Sequence, residues 1–368
     1  MNDPTPTGRV LTVNGGSSSV KFALYEPGNP PHCVYRGSVE RADGTDWLDA
    51  LERDGHLKGL AAVGHRVVHG GPLHDRAVGV TPQLLSELRP LFLLDPDHLP
   101  AEVAIIDAIG RRLPDLPQVA CFDTAFFADL PRIARLLPIP RRHADEGVRR
   151  YGFHGLSYTY LMDELGRTDA DAVRGRVVLA HLGSGASMAA VLGGRCTETT
   201  MGFTPNSGLM MGTRSGDLEP GVILHLLRSG HDVADLVSHR SGLLGVSGLS
   251  ADMRDLLAAE ADDPHAAEAV DLFCYQATKG VGALAATLGG LDTLVFSGGI
   301  GENAAEVRRR IAERLGHLGV AFDPVRNQAG LAVISTDESR TVVRILPTDE
   351  ESVIARQTIA VLTNGDPT

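Results

Sequence analysis

Residues 176–192 read RVVLAHLGSGASMAAVL. An apolar run from Arg176 to Leu182 leads into the small-residue turn Gly183-Ser184-Gly185-Ala186-Ser187, and a second apolar run, Met188 to Leu192, follows. The pattern predicts two buried strands joined by a tight turn, with Arg195 to Thr200 as a third. The same order stands near the N-terminus. Val10 to Val13, a Gly-Gly-Ser-Ser-Ser turn at 15–19 and the roughly alternating Val20 to Tyr25 precede a third candidate strand, His32 to Val39. Two such meanders, about 170 residues apart, point to an internal duplication in which each half is a β-rich αβ domain.

Other segments extend this frame. Leu84 to Arg112 has helical spacing interrupted near Pro96 and Pro100, and Gln118 to Phe122 reads as a buried strand. Thr293 to Ser297 is a further buried strand, followed by the tight turn Gly298-Gly299-Ile300-Gly301. Ala304 to Leu315 then reads as a helix, with Asn303 and Glu306 as a capping box and Gly316 as its stop.

The 368 residues suffice for about two domains. A net charge of −12 argues against nucleic acid or an anionic membrane surface as partner. The four cysteines lie far apart and form no metal or disulfide pattern. The N-terminus lacks the features of a signal peptide, and the most apolar stretch, Gly280 to Gly301, is broken by Asp292 and repeated Gly. A cytoplasmic protein is expected. The 42 glycines are about 11% of the chain against a usual ~7%, with no repeat to account for them.

Several segments carry chemistry. Asn14 to Lys21 combines small residues, hydroxyls and one Lys, which suits either phosphate binding or an exposed hairpin turn. His181 to Ser187 and Gly298 to Asn303 are two more candidate anion cradles. Arg66, within GHRVVHGG at 64–71, serves either a structural salt bridge or a clamp on a carboxylate or phosphoryl group. The same choice holds for Arg214 in a loop of small residues. Asp123 ends an apolar strand, as an acid/base, a metal-linked carboxylate or a helix cap. His154 lies between an aromatic and a Gly, a core position or a functional one. Glu350 opens the last helix, where a cap is the simple reading.

Taken in order, Asn14–Lys21, Gly64–Gly71, Phe122–Phe126, Arg149–Gly155, His181–Ser187, Met201–Pro205 with Met211–Pro220, Ser297–Asn303 and Pro347–Glu351 resemble the acetate kinase family, within the sugar-kinase/actin/heat-shock-chaperone ATPase superfamily. The resemblance spans nearly the whole chain. It implies an α/β fold of two duplicated ribonuclease-H-like domains with mixed sheets and an actin-like ATPase architecture, with the active site in the interdomain cleft. The first domain would take 1–147 and be completed by 348–368; the second, nucleotide-binding, would take 148–347. It further implies reversible phosphoryl transfer between ATP and acetate, giving acetyl phosphate and ADP, and a homodimer.

By the same resemblance, Asp123, His154 and Arg214 are catalytic. Arg66, Val68, Leu93, Phe153 and Pro205 bind the carboxylate substrate. Lys21, His181, Leu182, Gly183, Ser184, Gly185, Asp252, Met253, Arg254, Gly299, Ile300, Gly301, Glu302 and Asn303 bind nucleotide. Asn14 and Glu350 hold Mg2+, with Mn2+ as the alternative ion. Ser184, Phe127, Tyr158, Leu94, Asp95, Asn206, Ser207 and Asp349 depart from the family pattern. Phe127, Leu94 and Tyr158 make the expected substrate surroundings less basic and more apolar, so propionate is an alternative acceptor. A nucleotide-switched regulator on the same scaffold is the alternative of another class, because a fold does not fix a function.

Overall fold

The computed structural model describes residues 8–15, 19–40 and 46–364. The chain forms two compact units. The first comprises Met1–Ala128, Phe153–Tyr160 and Asp349–Thr368; the second comprises Asp129–Gly152 and Leu161–Thr348. The chain thus passes between the units four times, whereas the sequence reading drew one cut at 147 and a return at 348.

The first unit is built on a six-stranded mixed sheet. Its strands are β1 (Arg9–Gly15), β2 (Ser19–Glu26), β3 (His32–Glu40), β4 (Leu60–Val67), β5 (Val78–Gly79) and β6 (Gln118–Phe122), in the order β3-β2-β1-β4-β6-β5. β1, β2 and β3 are antiparallel, and β1, β4 and β6 are parallel. Burial follows position. Central β1 is buried at nearly every residue, while β3, next to no other strand on its outer side, alternates between exposed and half-buried. Leu11, Val13, Phe22, Leu24, Trp47, Leu51, Val63 and Ile109 form one core, with the Phe22 and Trp47 rings stacked 5.2 Å apart. A second group, Val119, Cys121, Leu156, Val353 and Ile354, includes residues of the C-terminal helix Glu350–Asn364. That helix lies so close to β4 that a Cβ on Gly64 would sit 2.1 Å from Thr358 Oγ1.

The second unit repeats the arrangement. Its strands are β7 (Arg176–Leu182), β8 (Ala186–Leu192), β9 (Arg195–Thr199), β10 (Thr293–Ser297) and β11 (Val342–Ile345), in the order β11-β10-β7-β8-β9. Three antiparallel strands and two further parallel ones thus reproduce β3-β2-β1-β4-β6 strand for strand. The expected duplication is present as topology. The long helix Pro264–Leu288 packs on this sheet and on neighbouring helices, and buries Val270, Phe273, Ala277, Val281 and Leu284. Asp263 caps its start and Gly289, at φ 70°, ends it. No helix among the described residues is long and apolar enough to cross a membrane.

One local expectation is corrected. Gly298–Asn303 is a short helix rather than a turn, and Asn303 closes it, its Nδ2 donating to Gly299 O at 2.9 Å. The next helix, Ala305–Ala312, has no side-chain cap, and Glu306 pairs with Arg309 and Arg310 instead. The segment after it runs on as a 3-10 turn to Leu318 and stops at Gly319, φ 92°, not at Gly316. Asn303 is still helical, so its side chain cannot reach forward as an N-cap.

Candidate active site

β1, β4 and β6 are adjacent and parallel, so their C-terminal ends share one edge of the first sheet, the edge where open α/β sheets bind ligands. Asn14, Arg66 and Asp123 stand there. Gly16, Ser17 and Ser18 of the first motif lie outside the described residues. Lys21 is exposed on β2, opposite Asn14 in register.

Arg66 Nε and Nη2 both donate to Asp123 Oδ2, at 3.0 and 2.6 Å. Its Nη1 donates to Gly15 O at 3.1 Å and to Glu102 Oε1 at 3.2 Å. Asp123 Oδ1 faces the Leu156 N–H at 3.5 Å, and its carbonyl accepts from Gly155 N at 3.0 Å. The buried carboxylate therefore caps the start of the helix Gly155–Thr168, which lies more than 30 residues further on. The salt bridge and the cap, each the simpler of the readings for its residue, are both present. Burial pushes the Asp123 carboxyl above the usual carboxylate range, with Arg66 pulling it down and Glu350 pushing it further up.

Asn14 Nδ2 donates to Glu350 Oε2 at 2.9 Å and to Glu351 Oε1 at 3.3 Å. His154 is half-buried and has φ 62°, the one non-glycine residue with positive φ among the described residues. The next residue must be Gly, because a Cβ on Gly155 would lie 2.0 Å from Asp123 O. Val68 and Phe153 are buried, and Phe153 meets the His69 ring edge-on at 5.4 Å. Leu93, by contrast, is 90% exposed at the end of a short 3-10 helix. Phe127 and Tyr158 pack with Phe126 into an aromatic cluster, ring centres 5.3–6.0 Å apart.

Glu102 is one residue that sequence reasoning missed. It is 3% exposed; Oε1 takes Arg66 Nη1, and Oε2 takes the Val68 N–H at 2.8 Å. Desolvation pushes its carboxyl up to about 8, against the lowering effects of Arg66 and the Val68 amide. A signal was available: Glu102 interrupts the apolar stripe Leu99, Val103, Ile106, Ile109 of its helix.

In the second unit, His181 lies on β7 between Ser187 on β8 and Ser297 on β10. Leu182 is buried, and Gly183 N closes the turn on Gly185 O at 3.0 Å. Ser184 is exposed, and its carbonyl accepts from Gly212 N at 2.9 Å. Arg214 Nη1 donates to the carbonyl of buried Pro205 at 2.9 Å. Asp252 caps the helix Met253–Ala259, accepting from Arg254 N, and pairs with the exposed Arg254 side chain; Met253 is core. Glu302 Oε1 accepts from Gly298 N at 2.9 Å and Thr348 N at 3.2 Å. Exposed Gly299, half-buried Ile300 and buried Gly301 complete this short helix. Buried Arg308, also missed, donates to the carbonyls of Gly301 and Glu302 and to Asn327, with no carboxylate partner among the described residues. It caps the C-terminal end of the short helix.

The acidic groups of the first unit suit a hard cation. Glu350 and Glu351 both accept from the Asn14 amide, which carries no charge to offset theirs. Among the described residues, no three His, Cys, Asp or Glu converge as ligands. Mg2+ keeps most of its waters and takes one or two carboxylates plus substrate phosphates, so the set fits it.

Residues 45–356 match the acetokinase family. The chain is 47% identical to an acetate kinase of Rhodopseudomonas palustris, covering 94% of this chain and 96% of that one. Among solved structures, the acetate kinase of Porphyromonas gingivalis is similar at TM-score 0.86 and 35% identity, covering 96% of this chain and 100% of that one. A propionate kinase from Francisella tularensis is similar at TM-score 0.88 and 32% identity, covering 95% and 98%. With the match over 45–356 and these near full-length likenesses, the chain belongs to the acetokinase family.

Proposed function

We infer that the protein transfers a phosphoryl group reversibly between ATP and acetate, giving acetyl phosphate and ADP. The observation that carries the reading is Arg66, a half-buried guanidinium on the ligand-binding edge of a sheet within the acetokinase family. Acetate is already an anion at pH 7, since carboxyl groups of this kind titrate near 4–5. The obstacle is its approach to an anionic γ-phosphate. A carboxylate oxygen forms the bond to γ-phosphorus, the bond to the β,γ-bridging oxygen breaks, and ADP leaves with that electron pair. No proton moves.

In this reading Arg66 orients the acceptor, and Arg214 and His154 offset charge on the transferring group. Asp123 orients Arg66 rather than taking a proton, because both its oxygens face donors. Asn14 and Glu350 would hold Mg2+, which when bound neutralises phosphate charge. The segments at 181–185, 252–254 and 299–303, with Lys21, would serve the nucleotide, and ATP as co-substrate suits a cytoplasmic location. Propionate is a second acceptor in this reading, since one methylene is worth only ~1–3 kcal/mol of discrimination.

We also propose a homodimer. The helix Pro220–Arg228 reads PGVILHLLR, buries none of its residues and leaves Leu224 and Leu227 about half exposed. A particle of one chain's mass in sedimentation would overturn this.

The test of the activity is acyl-hydroxamate formation with ATP and Mg2+ across formate, acetate, propionate and butyrate. Acetate-dependent product is expected, with losses of orders of magnitude in Arg66→Ala and Arg214→Ala that remain folded. Absence of any carboxylate-dependent product overturns the reading.

A further inference from the structure

Arg66 has five N–H donors, and four are engaged within the protein. The Nε/Nη2 edge belongs to Asp123, and both Nη1 hydrogens go to Gly15 O and Glu102. Among the described residues, one Nη2 hydrogen remains without an acceptor. A two-pronged grip on an incoming carboxylate would therefore need an Nη1 hydrogen that Glu102 or Gly15 now holds.

Gly15 O is main chain at the end of β1, in register with Val20 of β2. Glu102 is a side chain at the fourth position of the helix Leu99–Arg112. Its second oxygen is tied to the Val68 amide, so it is aimed at Arg66 rather than roaming. We propose that Glu102 is a positioning residue that acts through Arg66, occupying the guanidinium edge an acceptor carboxylate must use and setting acceptor affinity by competing for it. The inference rests on Arg66 being the acceptor's contact.

Two like charges on one guanidinium oppose each other, and the coupling is reciprocal: whatever weakens Glu102's hold strengthens the acceptor's. The charged groups that act on Glu102 are Arg66 on β4, Asp123 after β6 and Asp95 in the loop before its own helix, the last bonded to His98. Both aspartates and burial oppose its ionisation, which is completed only above about pH 8. Competition is therefore strongest in the alkaline range.

The experiment compares the unaltered enzyme with Glu102→Gln, measuring KM for acetate and for ATP from pH 6.5 to 9. Gln keeps a carbonyl for Nη1 without the charge. At pH 9 the variant should show a KM for acetate lower on the order of five- to tenfold, a gap that narrows toward pH 6.5, with KM for ATP unchanged. A merely structural Glu102 would give a raised KM at every pH, and that result, or equal KM values throughout, overturns the proposal. Should the variant not fold, the unaltered enzyme carries the test alone. Its KM for acetate must rise severalfold from pH 7 to 9, and a flat profile overturns it. Arg66→Ala separates the two readings. An unchanged KM for acetate there removes Arg66 from the acceptor site, whereas a raised KM there with no effect at Glu102 refutes Glu102 only.

Discussion

The side-chain amide of Asn14 donates to Glu350 Oε2 at 2.9 Å, joining residues 336 positions apart in the chain. The bond seats the start of the C-terminal helix on the end of β1, and Asn14 holds Glu351 as well. An amide nitrogen between two carboxylates fixes them without neutralising them, which leaves their charge for a cation.

Glu350→Gln keeps an oxygen toward Asn14 and removes that charge. Activity should fall on the order of 100-fold, with half-saturation by Mg2+ displaced upward. A Mg2+ titration of rate gives both numbers. An unchanged Mg2+ response would take Glu350 out of the cation site.

His154 sits at φ 62°, a conformation that costs a side-chain-bearing residue on the order of 1 kcal/mol and costs Gly nothing. His154→Ala and His154→Gly both remove the imidazole. They should lose activity equally, while the Gly variant is the more stable by about 1 kcal/mol in chemical denaturation. Equal stabilities would mean that the backbone is not strained there. Full activity in either would remove the imidazole from phosphoryl stabilisation.

Those two residues were visible in the sequence, as were the meanders, because short apolar runs separated by Gly and Ser admit few other structures. The repeat carried the duplication, whereas the strand order became visible only in the sheets themselves. What stayed hidden depended on partners distant in sequence. Glu102 acquires meaning only when Arg66, 36 residues earlier, is known to face it. Arg308 is an ordinary helix residue until the carbonyls of Gly301 and Glu302 and the side chain of Asn327 close around it. Gly298–Asn303 misled for a local reason. Its glycines suit a turn and a short helix alike, and the helix is set by Glu302 reaching back to the Gly298 amide.

His65 supplies a pH dependence of stability. Buried beside Gln118, its imidazole is pushed down to about 4 by desolvation. The folded chain thus keeps His65 neutral at pH values where the unfolded chain protonates it, below about 6.5. This contribution is fully present above pH 6.5 and is lost as pH falls toward 4, about 2 kcal/mol being gone by pH 5. Urea denaturation at pH 7 and 5 should show that loss, and His65→Gln should show less of it. An identical loss in the variant would assign the acid sensitivity to other groups.

Two glycine-to-alanine substitutions should act in opposite directions. Gly282 lies within the long helix Pro264–Leu288, and a Cβ there would have nothing within 4 Å. Alanine removes conformational freedom from the unfolded chain and should raise stability by about 0.5–1 kcal/mol, with activity untouched. Gly155 offers no such room. Its Cβ would meet Asp123 O at 2.0 Å and Asp123 C at 2.9 Å, both backbone atoms that cannot turn aside. The strain should cost at least about 1–3 kcal/mol. It should also displace the carboxylate that holds Arg66, so that the surviving folded protein loses acetate-dependent turnover. Thermal midpoints and hydroxamate rates on the pair decide it: a Gly155→Ala enzyme with normal turnover would show that Asp123 need not be held where it is.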